Sequence, residues 1–278
     1  MTRRSLPPGK ALLRHAVLAL SGAVLLLPFV WMLALSVKPP GEIFRAGFSL
    51  LPDQWHAAEN YGRALTTAPL PRFMLNGVLV CGAILALQVV IGAPAAYALA
   101  KLRFRGRDAL FALVLLALLL PHQVLALPLF ILCWQLGILN TYAALILPFV
   151  ISPFGIFLFR QYFKAIPDEV VYAARLDGLS EFAIVWRIML PMALPALAAF
   201  SILSVVAHWN DLFWPLIAVR EESLMPPTLG IVAFRNEEQG TEFGPLMAGA
   251  TMIVAPLLLA FLAAQRWVID GMTMAGRR

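Results

Sequence analysis

Residues 73–100 read FMLNGVLVCGAILALQVVIGAPAAYALA and contain no Lys, Arg, Asp or Glu. This run is longer than the ~20 apolar residues that a helix needs to cross a bilayer. Comparable apolar runs lie at about 14–37, 109–132, 142–160, 192–218 and 244–265. Because hydrocarbon offers no partner to an unpaired backbone amide, each run is predicted to be a helix. We therefore expect an all-α polytopic membrane protein with six transmembrane helices, a first helix at 14–37 and core helices across 73–265, in a single domain over residues 1–278.

The composition indicates that lipid is the main solvent of this chain. Of its 278 residues, 61% are hydrophobic and 13% are charged, whereas soluble domains carry roughly a quarter charged residues. The net charge of +6 does not indicate a nucleic-acid partner, because the basic residues lie between the apolar runs. Cys81 and Cys133 lie in or beside apolar runs, which is typical of small buried hydrophobes. We expect no metal site and no cofactor.

The distribution of basic residues predicts the orientation in the membrane. Fifteen of the 21 Lys and Arg residues fall on one side: four before the first span, four after the second, four after the fourth and three at the C-terminus. The positive-inside rule makes this side cytoplasmic, so both termini are predicted to face the cytoplasm. The first span is too long in its apolar core for a cleaved signal peptide and is expected to be retained.

The longest predicted inner loop, at 161–191, has the pattern of two helices joined by a turn. Pro167 suits the first position of a helix, and Asp168 favours its positive N-terminal end. Gly178 can take a left-handed conformation that ends this helix, and Ser180 can cap a second one. We therefore predict a helix–turn–helix at the membrane surface.

Helical spacing predicts which residues of this loop meet a partner. It places four residues on one face of the first helix: Val170, Ala173, Ala174 and Asp177. The small residues would allow another backbone to approach closely, while Tyr172 and Leu176 project from a neighbouring face and could fill a pocket. The alternative is an amphipathic surface helix that rests on its own protein or on lipid headgroups.

The same loop resembles the signature cytoplasmic loop of binding-protein-dependent ABC importer permeases, which has Glu-Ala-Ala, then Gly, then Leu-Pro after a spacer. The matching residues here are Ala173, Ala174, Gly178, Leu190 and Pro191. The chain departs from the pattern at one position, because Tyr172 stands where the family has its glutamate. An acidic residue, Glu169, lies one helical turn earlier.

Further matches extend the resemblance over nearly the whole chain. They are Asn76, the Ala96–Ala100 segment AYALA, the turn RFRG at 103–106, Trp209-Asn210-Asp211, Trp214-Pro215-Leu216, and Gln265-Arg266 with Gly271. In this order they resemble the second permease subunit of carbohydrate ABC importers, similar to the shorter permease of the maltose system. The resemblance implies a companion permease, two cytoplasmic ATPase subunits and an extracytoplasmic solute-binding protein.

The resemblance also implies that the first loop helix is a coupling helix seated in a cleft of one ATPase subunit. The residues expected to couple to the ATPase are Pro167, Glu169, Tyr172, Ala173, Ala174, Asp177, Gly178, Leu190 and Pro191. This chain has no Gly-x-x-x-x-Gly-Lys-Ser/Thr phosphate loop, so the energy is expected to come from the partner subunits.

Polar residues within the spans are costly in lipid, which makes them candidates for a solute pathway or gate. The principal candidates are Asn76, His122, Trp209, Asn210 and Asp211, and the other candidates are Gln88, Gln123 and His208. The alternative role is a hydrogen-bond network that packs the helices. The acidic outer loop at 219–243 is expected either to dock the solute-binding protein or to be solvated surface.

Three other functions compete with sugar import. A permease for a polyol or glycerol 3-phosphate belongs to the same family, although a phosphorylated solute should require an arginine in the pathway. An ion-coupled secondary carrier would usually need an acidic residue in mid-membrane, and only Asp211 is available near an edge. An intramembrane enzyme is disfavoured because no nucleophile–base pair has a recognisable spacing.

Overall fold

The computed structural model describes residues 8–44, 49–236 and 240–275. Its α-helices are α1 Pro8–Ser36, α2 Pro40–Ile43, α3 Ala57–Thr67, α4 Leu70–Lys101, α5 Arg107–Leu118, α6 Ala126–Gln135, α7 Tyr142–Ile146, α8 Pro153–Ala165, α9 Asp168–Leu176, α10 Glu181–Ile184, α11 Leu190–Met192, α12 Leu194–Trp209, α13 Phe213–Ala218, α14 Pro227–Gly230 and α15 Phe243–Ala275. Short 3-10 helices lie at His122–Leu125, Leu147–Phe149, Glu222–Leu224 and Ile231–Phe234, and Val185–Met189 is π-helical. Two-residue strands, β1 Arg235–Asn236 and β2 Gly240–Thr241, pair antiparallel. The prediction of an all-α protein is confirmed.

Six spans emerge when bent helix pairs are counted as single spans. Within the part of the chain that the structure describes, three helices are long and apolar enough to cross a membrane alone, at Leu12–Ser36, Leu70–Lys101 and Phe243–Leu262. Three further spans are helix pairs with a bend between them: Arg107–Leu118 with Gln123–Gln135, Tyr142–Phe149 with Pro153–Ala165, and Glu181–Met192 with Leu194–Trp209. The six-span prediction therefore holds, but three of the spans are not continuous helices.

The third span departs most from its prediction. The run 109–132 was expected to be one helix, yet α5 and α6 meet at 96°. Pro121 lies in the break, and it lacks the N–H that would continue the helix. The residue before a proline is also disfavoured in helical conformation, so Leu120 does not readily continue the helix. Hydropathy alone does not report this break, because both sides of it are equally apolar.

The predicted boundaries of the fourth and fifth spans are also corrected. The fourth span bends by 41° before Pro153, and its second helix continues to Ala165, past the predicted end at 160. The run 192–218 is not one helix either. It bends by 84° near Ala193, where Pro195 lies in the first turn of α12. Helix α12 then ends at Trp209, and α13 forms a separate helix.

The described residues divide into two compact units. The first takes the described parts of residues 1–69 and 233–254. In this unit, the side-chain amide of Asn60 donates to the carbonyl oxygens of Ser36 and Lys38 at 3.0 and 2.8 Å. These bonds tie α3 to the end of α1. Helix α1 itself leaves nearly all of its apolar side chains exposed, as expected of a helix whose neighbour is lipid or another subunit.

The second unit takes residues 70–232 with the described part of 255–278, and it contains the predicted inner loop at 161–191. Its core forms where α4 packs along α8. The small side chains of Ala93 and Ala96 are fully buried there and allow close approach of the helices. Phe159 and Phe200 fill the space beside them, with ring centroids 5.2 Å apart in an edge-to-face arrangement.

Candidate functional site

Helix α9 has the boundaries that its sequence requires. It begins at Asp168, so Pro167 lies one residue before the helix and not at its first position as predicted. At the other end Gly178 adopts φ +79°, a conformation that residues with a Cβ atom rarely take. The N–H of Gly178 donates to the Arg175 carbonyl at 3.0 Å. Ser180 then caps the next helix by accepting from the N–H of Ala183 at 3.3 Å.

One face of α9 packs against the second unit's own core. Val171 and Ala174 are 2% and 3% exposed and contact the cluster that includes Phe163 and Ile184. The predicted partner face is therefore split. Ala174 and most of Val170 face the protein's own interior, while Ala173 and Asp177 are exposed.

The other face of α9 is exposed and apolar, and we call it the α9 ridge. It consists of Tyr172, Ala173 and Leu176, with Glu169 beside it. The Leu176 side chain is 89% exposed, and Tyr172 is 52% exposed. An exposed leucine of this degree beside an aromatic ring is suited to fill a pocket on another protein. The helix therefore rests on its own protein, as one alternative predicted, and it also presents an exposed surface, so docking to a partner stays a prediction.

An ion pair fixes the start of α9 to the end of α4. The Lys101 ammonium donates to the Asp168 carboxylate and to the backbone carbonyl of Ile166. The Lys101 side chain is 5% exposed, while that of Asp168 is 61% exposed. The hydrogen bond and the positive charge of Lys101 lower the pKa of Asp168 below its ordinary value.

A second contact fixes the end of α9 to the start of α10. Arg175 donates to both carboxylate oxygens of Glu181 at 2.7 and 3.2 Å, a bidentate pair. The hydroxyl of Tyr97, in α4, donates to the same carboxylate at 2.5 Å. The hydrogen bond to Glu181 raises the pKa of Arg175 above its ordinary value.

Tyr97, Lys101 and Glu181 were missed as functional residues in the sequence analysis. The available signal was the i, i+4 spacing of Tyr97 and Lys101, which puts both on one face at the end of a span. Their carboxylate partners lie far along the chain, and only the packing of α4 against the loop brings them together. The result is a stiff connection between the α9 ridge and the spans.

The remaining predicted loop residues occupy two environments. Leu190 is 8% exposed and belongs to the core, whereas Pro191 is exposed. They follow the π-helical turn Val185–Met189, which has i→i+5 hydrogen bonding, a feature that is frequently found at functional sites. Leu190 and Pro191 therefore belong to the junction between the loop and α12 and are not part of the exposed ridge.

The side chain of Asn76, in the second turn of α4, is hydrogen-bonded within the protein. Its side-chain N–H groups donate to the carbonyl oxygens of Ser223 and Met225, both at 3.0 Å. Its oxygen accepts from the Tyr142 hydroxyl at 2.7 Å, and the residue is 1% exposed. With donors and acceptor used and the side chain buried, Asn76 holds the segment after α13 against α4. This supports the packing alternative for this residue.

The predicted cluster at 209–211 is dispersed by the end of α12. Trp209 is 5% exposed and its ring lies against Gly77, where a Cβ atom would come within 3.1 Å of it. Asn210 is exposed and donates to the Val206 carbonyl at 2.8 Å. Asp211 accepts from the backbone N–H groups of Phe213 and Trp214 at 3.0 and 3.3 Å, so it caps α13. The side chain of His122 lies outside the described part of the structure.

A neutral hydrogen-bond network lies in the middle of the second unit. Gln88, 5% exposed, accepts from the Ser204 hydroxyl at 2.6 Å and donates to the carbonyl of Phe149 at 2.8 Å. Its amide nitrogen is also 3.3 Å from His208 Nε2. The network joins α4, α12 and the break between α7 and α8. The packing alternative predicted such a network for the polar residues of the spans, Gln88 and His208 among them, but it did not name Ser204 or the Phe149 carbonyl as partners.

The outer acidic loop is described in two parts. In the second unit, the side-chain oxygen of Asn140 accepts from the backbone N–H groups of Arg220 and Glu221, both at 2.9 Å. In the first unit, Glu242 pairs with Arg63. Glu237 and Glu238 lie outside the described residues, as do Arg277 and Arg278 of the basic C-terminus.

The chain is similar in sequence to one protein family and to known permeases. The model of one family, described as binding-protein-dependent transport system inner membrane component, matches residues 88–274. The permease protein AraQ of an arabinooligosaccharides transport system in Halalkalibacterium halodurans is 35% identical over 251 residues, which cover 90% of this chain and 90% of that protein. The diacetylchitobiose uptake system permease protein NgcG of Streptomyces coelicolor is 34% identical over 92% of this chain and 85% of its own length.

Two further similarities bear on solute class and fold. The sn-glycerol-3-phosphate transport system permease protein UgpE of Brucella abortus is 30% identical over 95% of this chain and 96% of its own length. A chain from the crystal structure of a bacterial ABC transporter that imports the acidic polysaccharide alginate has a TM-score of 0.83 with 23% identity, covering 94% of this chain and 98% of that chain. This last match supports the fold alone.

Proposed function

Because the chain belongs to the family of binding-protein-dependent transport system inner membrane components, we propose that it imports a neutral sugar as one of two permease subunits of an ATP-driven transporter. The observation that carries this proposal is the 35% identity to a permease for arabinooligosaccharides over 90% of both chains. Residues 1–278 would act as one permease domain in the inner membrane, with both termini cytoplasmic.

A neutral solute is favoured by the scarcity of positive charge within the spans. Among the described residues 70–232, the basic residue that is buried is Arg160, in α8. It donates to the Leu99 carbonyl at 3.1 Å, and its guanidinium lies 3.5 Å from the centre of the Phe111 ring. Arg160 is thus engaged in packing, whereas a phosphorylated solute needs accessible cations along its path.

Glycerol 3-phosphate is the second candidate, because UgpE of Brucella abortus covers 95% of this chain at 30% identity. In that case the companion subunit would have to supply the charge that recognises phosphate. The two candidates differ in a property that is simple to measure, namely whether the solute is an anion.

Transport by the reconstituted complex tests the solute class. The chain would be purified with its companion permease, ATPase and solute-binding protein and placed in proteoliposomes. We expect ATP-dependent uptake of a sugar from a panel of arabino-oligosaccharide, diacetylchitobiose and lactose, and no uptake of sn-glycerol 3-phosphate. Uptake of glycerol 3-phosphate alone would support the second candidate. Uptake driven by an ion gradient without ATP would contradict both.

The α9 ridge is proposed to seat in a cleft on the ATPase. Its support is geometric, because an exposed apolar ridge is fixed to α4 by the Lys101–Asp168 ion pair and to α10 by the Arg175–Glu181 pair. A ridge fixed in this way would move with the spans as a rigid body when the ATPase dimer closes on ATP. The remaining predicted coupling residues, including Leu190 and Pro191, would transmit this movement to α12.

Capture of the ATPase by the purified pair of permeases tests the coupling role. We expect Leu176→Asp and Ala173→Arg to abolish capture while the pair remains assembled, because both side chains are exposed. Ala174 is unsuitable for this test, since its burial would confuse docking with folding. Leu51→Asp is the matched control, because Leu51 is 73% exposed and lies in a predicted outer loop. Native capture by both ridge variants would refute the docking role.

The outer acidic loop is proposed to dock the solute-binding protein. In support, Asn76 in α4 and Asn140 between α6 and α7 hold its first part in a defined position. A defined outer surface can recognise a rigid partner without first being ordered.

A further inference from the structure

A basic turn joins α4 to α5 at the same end of the spans as α9. Residues 102–106 read LRFRG, and Gly106 takes φ +87°, a conformation that residues with a Cβ atom rarely adopt. The turn lies near α9, because Lys101 at its start donates to the Asp168 carboxylate. It is therefore on the side predicted to be cytoplasmic, where the membrane surface is negatively charged.

A cavity of about 370 Å³ opens in this turn, within the range of about 300–1,000 Å³ that is usual for small-molecule sites. Its lining consists of Arg103, Phe104, Gly106, Arg107, Asp108 and Ala109. Asp108 pairs with Arg107 at 3.2 Å. Arg103 has neither a hydrogen bond nor an ion pair to any residue that the structure describes. Its charge acts on Asp168, which is already paired with Lys101.

A third arginine adds to the positive charge beside the cavity. Arg160 is buried in α8, and the charge of Arg107 acts on it. The contacts of Arg160 are uncharged, namely the Leu99 carbonyl and the Phe111 ring. Asp108 also acts on Arg160, but the Asp108 side chain is 82% exposed, so water screens its charge. Positive charge therefore exceeds negative charge here, and an anion in the cavity would offset the excess.

The exposed face of α5 that follows the cavity is apolar. Phe111 and Val114 pack against the core of the second unit, whereas Leu110, Leu113 and Leu116 are 51%, 62% and 59% exposed. Helix α5 is the first half of the third span, so these leucines lie at a depth where the surroundings are hydrocarbon. The cavity is thus continuous with a lipid-facing surface.

An anionic phospholipid matches both parts of this surface. Its phosphate can accept from the guanidinium groups of Arg103 and Arg107, which suit phosphate geometry. Leu110 lies three residues beyond Arg107, about 4.5 Å along the helix, where the acyl chains would begin. A soluble phosphate ester would leave the leucines without a partner, and an apolar protein helix would leave the cavity arginines without one. Basic pockets at the cytoplasmic ends of membrane helices are suited to anionic headgroups.

We propose that this turn binds an anionic phospholipid, with its phosphate between Arg103 and Arg107 and its acyl chains along Leu110 and Leu113. The site is separate from the α9 ridge and from the Gln88 network. It goes beyond the proposed sugar import, because it does not depend on which solute is carried.

Titration with phosphatidylglycerol, followed by native mass spectrometry, tests the site. The sample is the delipidated complex of this chain with its companion permease and ATPase. Arg103→Gln removes a charge that lines the cavity. Arg105→Gln is the matched control, because Arg105 is also an exposed arginine of the turn but does not line the cavity. Phosphatidylcholine, which has no net charge, and inorganic phosphate are titrated in parallel.

The site predicts a specific pattern in this titration. We expect the native complex and Arg105→Gln to retain phosphatidylglycerol alike. Arg103→Gln should weaken its binding about fivefold, which corresponds to about 1 kcal/mol for one basic residue near an anionic headgroup. Leu113→Ser, which alters the acyl contact without changing charge, should also weaken it. Phosphatidylcholine should not be retained, and inorganic phosphate should not displace phosphatidylglycerol, because it lacks acyl chains.

Four outcomes would overturn the site. The native complex retains no phosphatidylglycerol, or Arg103→Gln and Arg105→Gln weaken its binding equally, which would indicate a diffuse basic surface. Inorganic phosphate displaces the lipid, which would indicate an ion site. Leu113→Ser releases the companion permease, which would make this face of α5 a contact between subunits. Because none of these measurements uses transport, the failure of this site and the failure of sugar import are distinguishable.

Discussion

The second unit contains two polar networks that are built from different chemistry. At the loop that carries α9, the network is charged: Lys101 pairs with Asp168, and Arg175 pairs with Glu181. In the middle of the spans, the network around Gln88 is neutral. Lys101–Asp168 in the first network and Gln88–Ser204 in the second join residues that are distant in sequence, and both networks connect helices.

The difference follows from the solvent available to each network. A charge at the bilayer centre costs several kcal/mol, and an ion pair regains this only with excellent geometry. An amide and a hydroxyl satisfy one another at a much smaller cost. At the loop, the side chains of Asp168, Arg175 and Glu181 are 61%, 35% and 47% exposed, so water screens these charges, whereas that of Lys101 is 5% exposed. We therefore expect that placing a charge in the Gln88 network will lower stability more than removing a charge from the loop network.

The largest effect is expected when a charge enters the middle of the spans. Gln88→Glu is nearly isosteric, but it places a carboxylate beside the Phe149 carbonyl, to which Gln88 now donates. We expect a loss of about 3 kcal/mol in stability, by analogy with charged residues at the centre of a membrane helix. The unfolding temperature of the detergent-solubilised complex measures this loss.

Gln88→Leu is the control for this exchange. It leaves the Ser204 hydroxyl and the Phe149 carbonyl without their present partner, which should cost about 1–3 kcal/mol. If Gln88→Glu were as stable as the native protein, the middle of the spans would be hydrated, and the contrast between the two networks would disappear.

A smaller effect is expected from the reverse exchange at the loop. Glu181→Gln keeps an acceptor for Tyr97 but removes the charge that meets Arg175. Because the side chains of Arg175 and Glu181 are 35% and 47% exposed, we expect a loss of no more than about 1 kcal/mol. The same unfolding assay measures it, and added salt should narrow the difference from the native protein. A loss as large as that of Gln88→Glu would show that this pair is shielded from solvent.

The smallest effect is expected from acidification at Asp168. Its pKa is lowered in the folded protein by Lys101, so the folded state favours the carboxylate. The resulting stabilisation should be fully present above the ordinary Asp pKa of about 3.9 and should be lost as pH falls through the lowered value. The unfolding temperatures of the native protein and Asp168→Asn should therefore differ by a constant amount from pH 8 to 6 and converge in acid. A difference that persists unchanged to pH 3 would argue against this ion pair.

The spans show what the sequence predicts well and what it does not. Residues 73–100 form one helix, α4, as their unbroken apolar character predicts. Residues 109–132 are just as apolar, yet they form two helices at 96°. Hydropathy indicates whether lipid or water surrounds a segment. A proline permits a break in a helix but does not require one. Pro94 lies inside α4 without ending it, so the outcome depends on whether neighbouring helices can satisfy the freed carbonyl groups.

The candidate site residues also show that a local sequence pattern does not predict tertiary contacts. The loop motif predicted the position of α9, the left-handed Gly178 and the cap at Ser180. Helical spacing also predicted that Leu176, which is 89% exposed, projects from the helix, but it placed Ala174 on the partner face although Ala174 faces inward. The spacing defines faces but does not say which one is covered. Asn76 was a pathway candidate on polarity alone, and its partners at Ser223 and Met225 lie about 150 residues away.

The sequence by itself determined the all-α membrane fold, the six spans and the ends of the loop helix. These features depend on local chemistry, namely apolar length, proline, glycine and capping side chains. Tertiary structure alone decided where the spans bend, which face of α9 is free and which polar groups meet around Gln88. Those features depend on contacts between residues far apart in the chain, and a local pattern carries no information about which distant group will satisfy a buried donor or cover an apolar face.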